Sequence, residues 1–139
     1  MTDVHNTKIR SFNMSKIRGK NTKPELLVRK FLFSKGLRYR LHSKSLPGKP
    51  DIILKKYRTV IFINGCFWHG HYKCKYFVLP KTNSEWWKQK IDETIERDKK
   101  VNFKLKELGW KIITIWECEL KSLKRETRLE KLYIDIIGL

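Results

Sequence analysis

Four cysteine and histidine side chains are spaced so that they could hold a metal ion. Cys66, His71 and Cys74 follow the pattern Cys-x4-His-x2-Cys, and Cys118 comes much later in the chain. Zinc takes four thiolate or imidazole ligands, and three close ligands plus one distant ligand is a common arrangement. Such a closed site would hold a loop in place and would not catalyse a reaction. His69 competes for the imidazole position, and the alternative is buried cysteines beside a surface histidine.

A carboxylate and an imidazole form a second candidate centre. Asp51 opens an apolar run at 52–54, and His69 lies in a loop that follows a second apolar run at 60–63. If the two runs pair as strands, the loop emerges beside Asp51. A carboxylate that holds a divalent cation, near an imidazole that accepts a proton from water, can hydrolyse a phosphodiester. A lone aspartate before a strand is otherwise a turn or cap residue.

Two further acids lie on predicted helices. Asp98 stands in an apolar stripe between Ile91 and Leu105, where a charge is costly unless it meets a partner. It therefore either meets a cation or serves a functional site. Glu25 follows Thr22 at the spacing of a capping box, which explains it without any functional role.

Aromatic side chains occur where a core would not require them. Phe67 and Trp68 are adjacent in a glycine-flanked loop, so one strand or helix can hardly bury both. Such a pair could enter a base stack as a wedge, or it could pack locally over the metal site. Trp87 begins a long helix and is more ambiguous. Met14 and Ile17, on a basic amphipathic segment, could press into a DNA groove or dock on the core.

The charge of the chain points to a polyanionic partner. The 139 residues include 32 Lys and Arg against 14 Asp and Glu, which gives a formal charge of +18. The basic residues are spread along the chain, so the folded body itself should attract nucleic acid or an anionic membrane. No apolar run reaches the length of a membrane span, and the amino terminus does not resemble a secretory signal. An odd number of cysteines favours reduced thiols, and we expect a soluble cytoplasmic protein.

Hydrophobic periodicity predicts an α/β protein in which helices cover a small mixed sheet. No internal repeat or linker divides the chain, so we expect one folded domain. The predicted helices are 7–18, 22–35, 84–108 and 124–137, and the predicted strands are 38–42, 51–54, 59–63 and 111–116.

Several short motifs together resemble the very-short-patch repair (Vsr) mismatch endonucleases of bacteria. The resemblance covers nearly the whole chain, and its motifs are far more specific together than singly. They are Asn13-Met14 with Ile17, Thr22-x-x-Glu25, Leu46-Pro47-Gly48-Lys49-Pro50-Asp51, Val60-Ile61-Phe62, Gly65-Cys66-Phe67-Trp68-His69, Glu96-Arg97-Asp98, Leu108-Gly109-Trp110 and Trp116-Glu117-Cys118.

The resemblance implies a restriction-endonuclease-like core with a structural zinc site. It implies an enzyme that nicks one DNA strand 5′ to the thymine of a T:G mismatch left by deamination of 5-methylcytosine. Asp51 resembles the direct Mg²⁺ ligand, with the backbone carbonyl of Ile63 beside it, and His69 resembles the residue that activates water. Asp98 and Glu25 fall on supporting positions. The zinc ligands would be Cys66, His71, Cys74 and Cys118.

The resemblance also implies how the DNA is held. Phe67, Trp68 and Trp87 match an aromatic wedge, Met14 and Ile17 match an arm that enters the other groove, and Lys90 aligns with a contact near the mismatch. We expect an arm over residues 1–20 and an endonuclease domain over 21–139. The partner would be mismatched double-stranded DNA bound by a monomer, associated with the nucleoid and functionally linked to a DNA cytosine-5 methyltransferase.

The chain departs from the family pattern at a few positions. Ile63 and Asn64 replace a frequent Thr and His, Thr94 stands where an Asn can read the mismatch, and one extra residue precedes Cys74. The (D/E)-x-K signature of broader nuclease families is absent after Asp51. Two alternatives follow: a non-catalytic, zinc-stapled DNA-binding module, and a nuclease that acts on another DNA or RNA substrate.

Overall fold

The computed structural model describes residues 22–138, which form an α/β fold around one four-stranded sheet. The fold class predicted from the sequence is confirmed. Met14, Ile17 and the expected arm lie outside the described residues, and the division into an arm and one domain stays a prediction. The elements are α1 (Lys23–Ser34), β1 (Arg40–Leu41), β2 (Ile52–Leu54), β3 (Thr59–Asn64), α2 (Ser84–Glu107), β4 (Lys111–Trp116) and α3 (Arg125–Ile137), with short 3₁₀ turns at Lys55–Tyr57 and Glu117–Leu120.

The sheet is mixed, and its register decides which loops meet. The strand order is β1-β2-β3-β4, with antiparallel pairs β1/β2 and β2/β3 and a parallel pair β3/β4. Ile52 lies opposite Ile61, so the start of β2 lies beside the second half of β3. Asn64 lies opposite Trp116, so β3 and β4 end together. The residue before β2 and the loops after β3 and β4 therefore share one edge of the sheet.

Helices cover both faces of the sheet. Strand residues alternate between the faces because successive side chains point in opposite directions. On one face, α1 and α3 pack against Ile52 and Ile61. On the other face, Leu105 of α2 packs against Ile53 and Val60. Helices thus cover a small mixed sheet, as the sequence predicted. Among residues 22–138, no helix has both the length and the apolar composition of a membrane span.

The start of α1 and the end of α2 are each set by an identifiable interaction. Thr22 caps α1 by accepting a hydrogen bond from the Glu25 amide at 3.4 Å. The apolar stripe of α2 buries Ile91 and Leu105 but does not include Leu108, which is 53% exposed. The hydrophobic periodicity predicts Leu108 as the last member of this stripe, and that prediction is wrong because Leu108 is the C-cap of the helix. Its carbonyl accepts a hydrogen bond from Arg58 at 2.8 Å.

Candidate active site and metal centre

A cleft of about 600 Å³ opens at the edge of the sheet where the three segments meet. Asp51 reaches it from the start of β2, and His69 reaches it from the loop after β3. The strand pairing thus brings together the carboxylate and the imidazole that the sequence suggested. Its other lining residues include Thr22, Glu25, Gly48, Lys49, Ile63, Asn64, Trp68, Thr94, Arg97 and Glu117.

Asp51 is a largely buried carboxylate that is fixed by the neighbouring strand. Its amide donates to the carbonyl of Ile61 at 3.1 Å, and its Oδ2 accepts from the amide of Ile63 at 2.8 Å. Burial raises the pKa of Asp51 from 3.8 to about 6, against the opposing effect of the Ile63 hydrogen bond. The nearby Glu25 also raises this pKa, while His42 and His69 lower it. A cation in the cleft would favour the ionised carboxylate.

His69 is oriented by an acid from α2. Its Nδ1 lies 2.7 Å from Oδ2 of Asp98, and both side chains are partly exposed. This contact explains the charge in the apolar stripe of α2, because Asp98 faces the loop that carries His69. The Nδ1 proton donated to Asp98 leaves Nε2 as the ring nitrogen that can accept a proton.

Glu25 is almost fully buried, and its carboxylate is directed at two bases. His42 Nε2 lies 3.0 and 2.9 Å from its two oxygens, and Arg29 donates to Oε2 at 3.2 Å. The Glu25 amide takes part in the helix cap, while the Glu25 carboxylate pairs with His42 and Arg29. His42 is not among the residues predicted from the sequence. It follows β1 directly, and its amide donates to the carbonyl of Asp51 at 3.0 Å, so a β1/β2 hairpin register would have pointed to it.

The four expected zinc ligands come together beside the cleft, and none of them lines it. The thiolate and imidazole atoms of Cys66, His71, Cys74 and Cys118 all lie within 4.8 Å of one another. Cys118 Sγ lies 3.4 Å from His71 Nδ1, close to the edge of about 3.5 Å in a tetrahedral zinc site. The cluster contains His71, and His69 turns instead to Asp98. The choice between the two imidazoles, left open by the sequence, is thereby made.

The three cysteines and one histidine of this Cys/His cluster form a donor set typical of structural zinc. Burial raises the pKa of the Cys66 thiol to about 12 and also raises the pKa of Cys118. A bound Zn²⁺ deprotonates such thiols, so the donor set fits zinc. The His71 ring stacks on Trp116 with centroids 4.0 Å apart. The extra residue before Cys74 is accommodated in a turn where Lys73 has a φ of 57°.

The predicted wedge aromatics form one contiguous group. The ring centroids of Phe67, Trp68 and Trp87 lie 5.3 to 5.7 Å apart in pairs. Trp86, which is 53% exposed, extends the group at 4.9 Å from Trp87, and the Lys90 ammonium lies 5.6 Å from the Trp86 ring. Because Trp68 also lines the cleft, the aromatic group adjoins Asp51 and His69.

Comparison with known proteins identifies the family. The family profile described as DNA mismatch endonuclease Vsr matches residues 2–75, more than half of the chain. The type II nicking enzyme V.NmeAIP of Neisseria meningitidis serogroup A is 52% identical over 138 residues, which cover 98% of this chain and 97% of that protein. This chain belongs to the Vsr family.

Two further relatives extend the similarity across the described fold. The type II nicking enzyme V.XorIIP of Xanthomonas oryzae pv. oryzae is 44% identical over 123 residues, which cover 88% of this chain and 90% of that protein. The DNA mismatch endonuclease Vsr of Escherichia coli is 42% identical over 127 residues, which cover 91% and 81%. The chain is accordingly a member of a family of DNA nicking endonucleases.

Gly70 is a site residue of this Vsr-family chain that its sequence did not reveal. It has a φ of 58°, and a Cβ at this position would lie 2.7 Å from side-chain carbons of Ile91 and Ile95 on α2. The absence of a side chain lets the loop that carries His69 lie directly against the helix that carries Asp98. Gly70 therefore sets the distance across which these two side chains meet.

Proposed function

We propose that this chain nicks one strand of duplex DNA 5′ to the thymine of a T:G mismatch, by Mg²⁺-dependent hydrolysis of a phosphodiester. The observation that carries the proposal is the pair of His69 and Asp98, joined at 2.7 Å, in a cleft that also contains the Asp51 carboxylate. The family supports DNA as the substrate and nicking as the reaction. Among the relatives, the E. coli protein is named a mismatch endonuclease.

His69 is the proposed base that activates water. Its Nδ1–H donates to Asp98, so Nε2 presents the lone pair that takes a proton from the attacking water. The Asp98 carboxylate fixes this tautomer and stabilises the imidazolium that forms. The pair therefore acts as one unit, and removing the acid should weaken the base without removing it.

Asp51 and the backbone carbonyl of Ile63 are the proposed Mg²⁺ ligands. A hard divalent ion prefers oxygen donors, and the buried Asp51 carboxylate supplies one whose ionised form needs a nearby cation. When bound, Mg²⁺ supplies a charge that polarises the phosphate and stabilises the leaving oxygen. Glu25, within reach of Asp51, adds negative charge on the same side of the cleft.

The Cys/His cluster holds the loop that carries His69 and takes no part in the reaction itself. Cys66 and His71 flank the loop that contains His69, and Cys118 ties that loop to the end of β4. A zinc ion in the cluster would fix both ends of this loop and so the direction of the His69 ring. Its role in the proposal is structural.

The aromatic group is the proposed reader of the mismatch. Phe67, Trp68 and Trp87 pack against one another, and Trp68 joins this group to the cleft. Inserting such a wedge unstacks a base step, and the cost is lower where the pair is already weakened. The formal charge of +18 favours binding to the DNA phosphates, so binding should weaken steeply with salt.

The names of other relatives favour one specific variant of this function. The N. meningitidis and X. oryzae relatives are both named type II nicking enzymes. In this variant the mismatch is cut within a defined flanking sequence, and Asn64 and Thr94, which line the cleft, are the proposed residues that read it. A functional link to a cytosine-5 methyltransferase and a monomeric enzyme belong to the same proposal.

A strand-specific nicking assay tests the proposal. Zinc-loaded protein is given end-labelled duplexes with each mismatch, matched controls and the corresponding RNA, with and without Mg²⁺. We expect Mg²⁺-dependent cleavage of the thymine strand at T:G and little cleavage elsewhere. Equal cutting of matched DNA or RNA would indicate another nuclease, and binding without cutting would indicate a DNA-binding module.

A matched pair of variants on α2 tests the mechanism. Asp98→Asn should lower the nicking rate by about 10²-fold or more because His69 loses the group that fixes its tautomer. Asp92→Asn is the control, because Asp92 lies on the same helix but is exposed and paired with Lys88 at 3.0 Å. Equal rates in the two variants would contradict the role given to Asp98.

A further inference from the structure

A second group of side chains in the described part of the chain has the composition of a metal site. One carboxylate oxygen from Glu25, one from Asp51 and a ring nitrogen of His42 all lie within 4.8 Å of one another. These three residues come from α1, from the start of β2 and from the position after β1, so the fold assembles them from three separate segments.

The spacing within this group matches that of neighbouring ligands around one ion. Octahedral divalent ions hold their ligands at about 2.1 Å, which places adjacent ligands about 3.0 Å apart. His42 Nε2 lies 2.9 and 3.0 Å from the two Glu25 oxygens. We propose that Glu25, His42 and Asp51 form a divalent-cation site with two carboxylates and one imidazole, which favours Mn²⁺ over Mg²⁺.

Burial and charge support a cation at this position. The Glu25 and His42 side chains are only 2% and 15% exposed, so water does little to stabilise the charge of the carboxylates. Arg29 lies 3.2 Å from Glu25 and compensates one of the two negative charges of Glu25 and Asp51. One negative charge remains, so a divalent ion would leave a net charge of +1, which a DNA phosphate at an open coordination position would balance.

The backbone of His42 is held in an uncommon conformation. Its φ is 48°, in the left-handed region that non-glycine residues seldom adopt. The His42 amide donates a hydrogen bond to the Asp51 carbonyl at 3.0 Å, which holds this conformation next to the Asp51 carboxylate. The imidazole of this residue lies against Glu25. Local backbone strain of this kind is common at functional sites.

The imidazole is what separates this site from the Mg²⁺ position at Asp51 and Ile63. Mg²⁺ binds nitrogen poorly, whereas a nitrogen ligand adds to the affinity of first-row transition-metal ions. The inference deepens the proposed function because Asp51 belongs to both sites. Its test uses protein without DNA, so it can fail while the nicking proposal stands.

Manganese binding to the zinc-loaded, DNA-free chain provides the test. Mn²⁺ and Mg²⁺ affinities are measured by calorimetry, and pulsed electron paramagnetic resonance detects a nitrogen ligand on bound Mn²⁺. We expect a nitrogen signal in the native chain that is lost in His42→Gln, with a fall in Mn²⁺ affinity of about tenfold. The Mg²⁺ affinity of the same variant should fall by less than about threefold. In the metal-free chain His42 Nε2 contacts Glu25, and the glutamine amide can donate to Glu25 in its place. The variant therefore removes the nitrogen ligand of the metal-bound state while keeping a partner for Glu25 in the metal-free state.

His69→Gln is the matched control because it removes another imidazole from the same cleft. This variant should keep both the nitrogen signal and the Mn²⁺ affinity. A nitrogen signal that survives in His42→Gln, or that disappears in His69→Gln, would overturn the assignment. Equal losses of Mn²⁺ and Mg²⁺ affinity in His42→Gln would show that His42 only positions Glu25.

Discussion

Because the Asp51 carboxylate is buried, we expect its replacement to raise stability and to abolish activity. Replacing Asp51 with asparagine keeps the size of the side chain and an oxygen that can accept the hydrogen bond from Ile63. It removes a negative charge that burial makes costly. We therefore expect the Asp51→Asn variant to be more stable than the native chain at neutral pH and to lose Mg²⁺-dependent nicking.

The size of the gain follows from the pKa of Asp51. The pKa is 3.8 in the unfolded chain and about 6 in the fold, so ionisation opposes folding. One pKa unit corresponds to about 1.4 kcal/mol, which gives a penalty of about 3 kcal/mol above pH 7. The penalty shrinks as the pH falls from about 6 toward 3.8, where Asp51 is protonated in the fold but still ionised in the unfolded chain, and it disappears below 3.8, where both states are protonated. At pH 4 it should be about 0.5 kcal/mol.

Urea unfolding of the two proteins measures this difference directly. Both are zinc-loaded and kept in magnesium-free buffer, and the free energies of unfolding are compared at pH 4 and pH 8. Ionisable groups far from Asp51 contribute equally to both proteins and cancel in the difference. Asp92→Asn is the control, and its exposed carboxylate should give no gain at either pH.

The reasoning has a clear point of failure. If Asp51→Asn were no more stable than the native chain at pH 8, the Asp51 charge would not be destabilising and the pocket would not be poised for a cation. A gain of equal size at pH 4 and pH 8 would refute the account as well, since it would arise from packing and not from ionisation. Addition of Mg²⁺ should stabilise the native chain more than the variant, because Asp51 is the proposed ligand.

Three other substitutions test the loop and the wedge. Cys118→Ser should lose zinc and about 3 kcal/mol or more of stability, measured by zinc content and thermal unfolding, and a zinc-replete variant would contradict the ligand assignment. Trp68→Ala should lower the ratio of nicking at T:G to nicking at T:A by about tenfold, and an unchanged ratio would remove Trp68 from the wedge. Gly70→Ala should cost about 1–3 kcal/mol and slow nicking. Gly36→Ala, where φ is 74° but no atom lies within 4 Å, is the control that carries backbone strain alone.

The sequence predicted the parts of the site that depend on strand order. An aspartate before one strand and a histidine after its neighbour must lie at the same edge if the strands pair antiparallel, and the pairing of Ile52 with Ile61 makes them do so. Cys118 was predictable in the same way, since parallel strands end at one edge. The partners that each imidazole finds were not predictable. His69 and His71 are two residues apart, and only the packing of their loop on α2 directs one to Asp98 and the other to the cysteines.

His42 and Gly70 show why the remainder of the site escaped prediction. Neither belongs to a spaced motif, and both act through a left-handed backbone that residue type alone does not specify. β1 has two residues, too few for an alternating pattern to fix its register, so the neighbour of Asp51 could not be read from periodicity. Gly70 matters through the side chains of a distant helix that press against it. The residues at the strand ends, Asp51 and His69, therefore indicate the type of reaction. The full set of metal ligands and the position of the His69 base depend instead on short segments whose conformation is set by the rest of the fold.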